Sequence, residues 1–405
     1  MKTEPILFFD GNWYHIYLDA VQGLCINKKT DFKFSQFARL LPNAYNDFSA
    51  VATETKLHIV CQDKEGAIIY FTYDGKQWNT QRMLESKRKT PEQKNITLKL
   101  IGNFVNLFYA IHTKDAYLLA HQLLGETIGQ PKIIDEITGT EFSICSHQTS
   151  DLTIFYQNSE NLCGTRKFRW SKKDFEEFCP LECSCMLEHT VILADKHDNL
   201  QIAAYATFDK FVNILFLTKH AQTGEMNISA IHLVSGTADG LALSELDGMP
   251  TISWCENGLV MSTTLSENNR WPAPRKLICS ATQETVCYQI QAKTESLISY
   301  GFMQENRQSF YLHRTKVEQL LQEHKKAQAP TQSAPSADYV KQSVYSADMA
   351  NVHALLEKQN EIIRKILKKI TVPERTVCHT DDIVEDTEIL DQLAFHALQE
   401  DKHYK

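Results

Sequence analysis

Four side chains that bind soft metals fall in one short stretch: Cys179, Cys183, Cys185 and His189. Thiolate and imidazole are the ligands that zinc prefers, so a metal centre in this chain would be sought here first. Their spacing follows no zinc pattern, however. Ordinary strand alternation would place Cys183 and Cys185 on one face as structural thiols. No metal and no cofactor is therefore expected. Clustered arginines could grip a carboxylate, and Arg39, Arg82 and Arg275 recur at similar places in the chain. Each lies late in its stretch, where an outer surface strand is expected. No P-loop, strand-borne GxGxxG, HExxH or GxSxG is present. His15, His58, His112 and His121 sit inside alternating apolar stretches and read as strand residues.

Those stretches are what must position any chemistry. Seven of them alternate and mostly end in an aromatic: 13–17 (WYHIY), 57–61 (LHIVC), 105–109 (VNLFY), 152–156 (LTIFY), 200–204 (LQIAA), 250–254 (PTISW) and 297–301 (LISYG). Their spacing is 44 to 50 residues, the period of a propeller, solenoid or array. A second marker keeps step. An apolar residue is followed six positions on by another, as in Phe34 and Leu40, Trp78 and Leu84, Ile128 and Ile134, Phe175 and Leu181, Trp271 and Leu277, and less clearly Ile228 and Val234. The period along each stretch is two, so the units are built of strands. Residues 47–86 show a full set of four, with Asp74-Gly75 as a hairpin signal. Four strands in about 45 residues, repeated, match a propeller blade. The last unit has three clear strands, and the N-terminal segment is expected to complete it and close the ring.

The stretch 72–78 (TYDGKQW) resembles a shortened Asp-box, the turn of sialidase-like and lectin-like propellers, and 266–271 (SENNRW) sits at the equivalent turn without the Asp and Gly. The resemblance implies an Asp-box-type propeller. The box is a turn device, so it implies no activity. With the arginines on outer strands, sialidase activity is not expected. Trp13, Trp78, Trp170, Trp254 and Trp271 are all accounted for by packing within units, which leaves none to mark a sugar pocket.

The expected organisation is all-β, a seven-bladed β-propeller over 1–315. A short helix and Pro/Ser/Ala-rich linker follow over 316–344, then a coiled-coil-like amphipathic helix over 345–372 and an acidic tail over 373–405. In the helix Met349, Leu356, Ile363 and Ile370 are seven apart, and Val352, Gln359 and Ile366 take the matching positions. The stripe of Met349, Val352, Leu356, Ile363, Ile366 and Ile370 predicts self-association through 345–371, or capture of a partner helix. Residues 381–401 hold eight acids and no Lys or Arg.

The net charge of −8 argues against nucleic acid as a partner. No apolar run is long enough to span a membrane. Eleven scattered cysteines and the absence of an export signal predict reduced thiols and a cytoplasmic location. The leading functional expectation is a non-enzymatic binding or scaffold protein with protein partners. The alternative is a carbohydrate- or small-ligand-binding, lectin-like propeller. A sialidase-fold hydrolase or lyase ranks below both.

Overall fold

The computed structural model describes most of residues 3–323. The longest internal stretch outside the described residues is 278–284, and residues 324–405 lie outside them as well. The heptad segment, most of the expected linker and the acidic tail therefore fall outside the described residues.

The chain folds as successive antiparallel runs. The first is β1 (Thr3–Phe9), β2 (Asn12–Asp19), β3 (Gly23–Thr30) and β4 (Lys33–Leu41). The second is β5 (Ala44–Ala52), β6 (Leu57–Asp63), β7 (Ile68–Tyr73) and β8 (Trp78–Leu84). The third is β9 (Thr97–Ile101), β10 (Phe104–His112), β11 (Tyr117–Leu124) and the start of β12 (Lys132–Ser146). The end of β12 opens a fourth run with β13 (Leu152–Asn158), β14 (Cys163–Arg169), β15 (Asp174–Phe175) and β16 (Cys179–Pro180). Next come β17 (Leu187–Ala194), β18 (Leu200–Phe208), β19 (Phe211–Lys219) and β20 (Met226–Val234). Then follow β21 (Ala238–Leu246), β22 (Met249–Glu256), β23 (Leu259–Thr264) and β24 (Arg275–Lys276). The last run is β25 (Val286–Ala292), β26 (Glu295–Gln304) and β27 (Arg307–Phe310), followed by helix α1 (Arg314–Glu323). The fold is nearly all-β, with a propeller-like arrangement of sheets.

All seven alternating stretches occupy the second strand of their run: β2, β6, β10, β13, β18, β22 and β26. The packing explains their composition. Each is buried on both faces, and alternation sends neighbouring side chains into different layers. In β6, Leu57, Ile59 and Cys61 join residues of the first run, while Val60 joins Val105, Leu107 and Tyr109 of the third. In β10, Phe108 and Ala110 turn the other way, onto Leu152, Ile154 and Tyr156. The same exchange continues from run to run, and Ile6, Trp13 and Phe34 finally meet Tyr288, Ile290 and Phe310. The core is thus a series of layers between successive sheets. First strands also touch in chain order, β1 on β5, β5 on β9, β9 on β12, β12 on β17 and β17 on β21, and β21 reaches the last run through its second strand β26.

Hydrogen bonds reproduce the repeat. Asp47 accepts from Lys94 N and Ile96 N at 2.7 and 2.9 Å, Ser49 Oγ accepts from Leu98 N, and Ser143 Oγ donates to Thr190 O. His189 N donates to Glu141. These partners lie 47 to 49 residues apart, one period along the chain.

The N-terminal segment joins the last run: β1 lies parallel to β25, with Ile6 opposite Ile290, while its other edge pairs with β2. Helix α1 starts at Arg314 and buries Val317 and Leu321 against that run. The turn at 72–78 behaves as a turn device. Asp74 Oδ1 accepts from Lys76 N and Gln77 N, Gly75 takes φ 92°, and Trp78 stacks on Tyr73 at 4.8 Å. Among the described residues no helix is long and apolar enough to cross a membrane.

Candidate functional site

Four first strands carry a bulge at the same place. Pairing skips from Ala44 to Phe48 opposite Asp63 and Cys61, and from Ile137 to Phe142 opposite Asn158 and Tyr156. It skips again from Glu188 to Val191 and from Asp239 to Ala242. A bulge releases backbone groups from the ladder and re-aims side chains, which is why bulges gather at binding sites. In the second run the bulged Asp47 is buried and ties down two backbone N–H groups. In the fourth run the corresponding Glu141 is exposed.

The space beside Glu141 is a pocket of about 180 Å³ between β12, β13 and β17. Phe155, Tyr156 and Leu187 are its buried lining. Thr138, Gly139, Glu141, Gln157, Glu188 and Thr190 supply polar groups, and Cys163 and exposed Met186 complete it. No Lys or Arg lines it. The Tyr156 hydroxyl donates to Asp135 Oδ2 at 2.6 Å, and Asp135 lies 3.5 Å from Arg166. Burial, then the neighbouring Asp135 carboxylate, pushes the Tyr156 phenol far up, so it stays protonated. Thr138 Oγ1 donates to Gln157 Oε1, and Gln157 Nε2 to Asn161 O, which fixes the amide.

His189 holds the rim. Its Nδ1 lies 2.9 Å from Glu141 Oε1, and the backbone is left-handed there, at φ 47°. The hydrogen bond to Glu141 raises the imidazole against the opposing effect of burial, and the same bond lowers the carboxylate. The pair is complete below the raised His189 pKa and above the depressed Glu141 pKa. It is lost as pH rises through the former. Both side chains are well exposed, so the contact adds little to stability. In an NMR titration His189 is expected to keep its proton above the ordinary histidine range, and Glu141→Gln to return it there. A wild-type His189 titrating at the ordinary value would mean that the rim contact does not form in solution.

Of the four soft ligands in the sequence, the structure brings only two together. Cys183 Sγ and Cys185 Sγ are 3.0 Å apart. Both cysteines lie outside any strand, between β16 and β17, so strand alternation does not apply to them. Cys179 takes the Lys219 ammonium at 3.2 Å, and His189 takes Glu141. Among the described residues no three His, Cys, Asp or Glu side chains are placed to hold a metal. Arg39, Arg82 and Arg275 stand on β4, β8 and β24, the outermost strands of their runs. The remaining tryptophans pack as well: Trp271 on Phe216 at 5.0 Å and Trp170 on Phe104 at 4.8 Å.

No protein-family model and no curated protein matches the sequence. Solved structures do resemble the fold. A fungal lectin from Aleuria aurantia, described as a six-bladed β-propeller with a novel mode of fucose recognition, is 11% identical with TM-score 0.41, covering 69% of this chain and 96% of that one. An ulvan lyase of polysaccharide lyase family PL25 is 11% identical with TM-score 0.46, covering 64% and 80%. AofleA from Arthrobotrys oligospora is 12% identical with TM-score 0.41, covering 66% and 84%. Likeness at this level assigns no residue a role, so function has to come from the chain's own pocket.

Proposed function

We propose that this chain is a seven-bladed β-propeller that binds neutral carbohydrate in the pocket between β12, β13 and β17, without turning it over. Seven runs, each packed on the next, support the blade count. The lining of the pocket carries the functional reading. Exposed Met186 offers an apolar contact over the buried lining of Phe155, Tyr156 and Leu187, while Thr138, Gln157, Glu188 and Thr190 offer hydroxyl, amide and carboxylate partners. That mixture suits a sugar, which has apolar ring faces and a belt of hydroxyls. The volume is below the roughly 300–1,000 Å³ of clefts for drug-sized ligands, so it fits about one ring. Two carboxylates and no lining cation disfavour sialic or uronic acids.

Binding without turnover is favoured by the state of Glu141. A glycosidase needs a carboxyl with a raised pKa as general acid, and His189 pushes Glu141 the other way. This reading replaces the scaffold expectation with a defined ligand class, and leaves protein partners to the segment beyond the propeller.

A glycan array followed by calorimetry with the preferred monosaccharide tests it. Neutral glycans are expected to bind and acidic ones not to. Glu188→Ala should weaken binding at least tenfold, since hydrogen bonds to a charged group contribute about 1.5–3 kcal/mol. No reducing ends should be released. Preference for acidic glycans, or binding unchanged by Glu188→Ala together with Gln157→Ala, would show the ligand to sit elsewhere.

A further inference from the structure

Among the described residues the cysteines differ in setting. Cys25, Cys61, Cys145, Cys255 and Cys287 are buried singly in the sheets. Burial pushes Cys145 up to about 12 and Cys287 up to about 11, so both are inert at neutral pH. Cys183 and Cys185 are different. They are partly exposed, 3.0 Å apart, and stand outside any strand. A third thiol, Cys163, packs against the same apolar cluster.

We propose that Cys183 and Cys185 form a redox-active dithiol, which closes to a disulfide by exchange with a small-molecule disulfide such as oxidised glutathione. Three features support it. The sulfurs already lie near each other, so closure needs a small backbone movement. Neither cysteine is strand-paired, so closure breaks no ladder. The two thiols are hydrogen-bonded to each other, and the Cys185 N–H also donates to Cys183, which favours Cys183 as the attacking sulfur and Cys185 as the resolving thiol.

The Cys183 thiolate attacks one sulfur of the oxidant, a protein–glutathione disulfide forms, and one glutathione thiolate leaves and takes a proton. Cys185 then loses its proton and attacks the Cys183 sulfur, expelling the second glutathione. Two electrons pass from the dithiol to the oxidant, which becomes two thiols. A disulfide across a single intervening residue is strained, and strained disulfides are readily reduced. In a reducing glutathione pool the dithiol is therefore the resting form, and the couple is reversible.

The test uses the full chain equilibrated in glutathione buffers from fully reduced to fully oxidised, quenched in acid, alkylated, digested and weighed. The expected result is a loss of two hydrogens from the peptide holding Cys183 and Cys185, reversed by dithiothreitol, before Cys145 or Cys287 reacts at all. Cys185→Ser should stop at glutathione on Cys183, and Cys183→Ser should react at least tenfold more slowly. The wild-type measurement stands even where a variant misfolds. The proposal is overturned by a peptide that stays reduced at the oxidising end, by glutathione settling on Cys179 alone, or by a Cys163–Cys183 link in its place.

Discussion

Trp254→Ala is expected to destabilise the fold by about 3–5 kcal/mol, the usual cost of removing a buried large aromatic. Trp254 is fully buried at the end of its stretch in β22, among Ala203, Tyr205, Ile214, Phe216 and Ile252. It fills the layer between two sheets, so truncation opens a cavity that neither rigid sheet can close. Its Nε1 also donates to Glu256 Oε2 at 3.0 Å. Glu256 further accepts from Ser235 N and Oγ and faces His232 at 2.8 Å. Burial would raise this carboxyl, but the bonds from Trp254 and Ser235 outweigh burial and hold it low. That contribution is present above the ordinary Glu range and is lost as pH falls through the depressed value. Trp254→Phe keeps most of the volume and loses the donor. It should cost less than alanine at neutral pH, and acid unfolding should begin at higher pH than in the wild type. Urea unfolding of the three proteins across pH checks both parts. Equal midpoints for the alanine and phenylalanine variants would show that packing in this layer is not what holds the sheets together.

Much of the fold is legible in the chain because its strongest signal is local. A strand buried on both faces must be apolar throughout, and alternation inside Trp13–Tyr17 or Leu152–Tyr156 needs no knowledge of its neighbours. The fourth strands were legible through Trp78 and Trp271, whose turns recur. The pocket was not. It depends on the bulge between Ile137 and Phe142, and a bulge is a property of two strands. A trace of it exists in sequence, where Thr138-Gly139-Thr140-Glu141 interrupts an apolar alternation. Asp47 was illegible for the same reason, since its partners Lys94 and Ile96 lie one full repeat away. Cys183 and Cys185 were placed on a strand face by a rule that holds only within strands, and the chain leaves regular structure before it reaches them.

Ile363→Asp is expected to turn a multimer into a monomer. The basis is the sequence between 345 and 371, where Met349, Val352, Leu356, Ile363, Ile366 and Ile370 repeat at coiled-coil spacing. Each large aliphatic side chain withdrawn from water contributes roughly 1.5–3 kcal/mol, so six give a gross term of about 10 kcal/mol, before ordering entropy opposes it. A helix of this length is marginal alone in water and needs a partner for that stripe. Aspartate at Ile363 would bury a charge in the middle of the seam, at a cost larger than any one of its contacts. Assembly would bear directly on the pocket. One ring-sized site binds weakly, and several held together bind a glycan-coated surface about 10²–10⁴ times more tightly. Sedimentation of the full chain should therefore show a multimer, and Ile363→Asp a monomer. The variant should lose binding to an immobilised glycan while its affinity for the free monosaccharide is unchanged. A wild-type monomer would rule out self-association and leave the stripe to a partner's helix. A multimer that survives Ile363→Asp would place the contact on another surface of the chain.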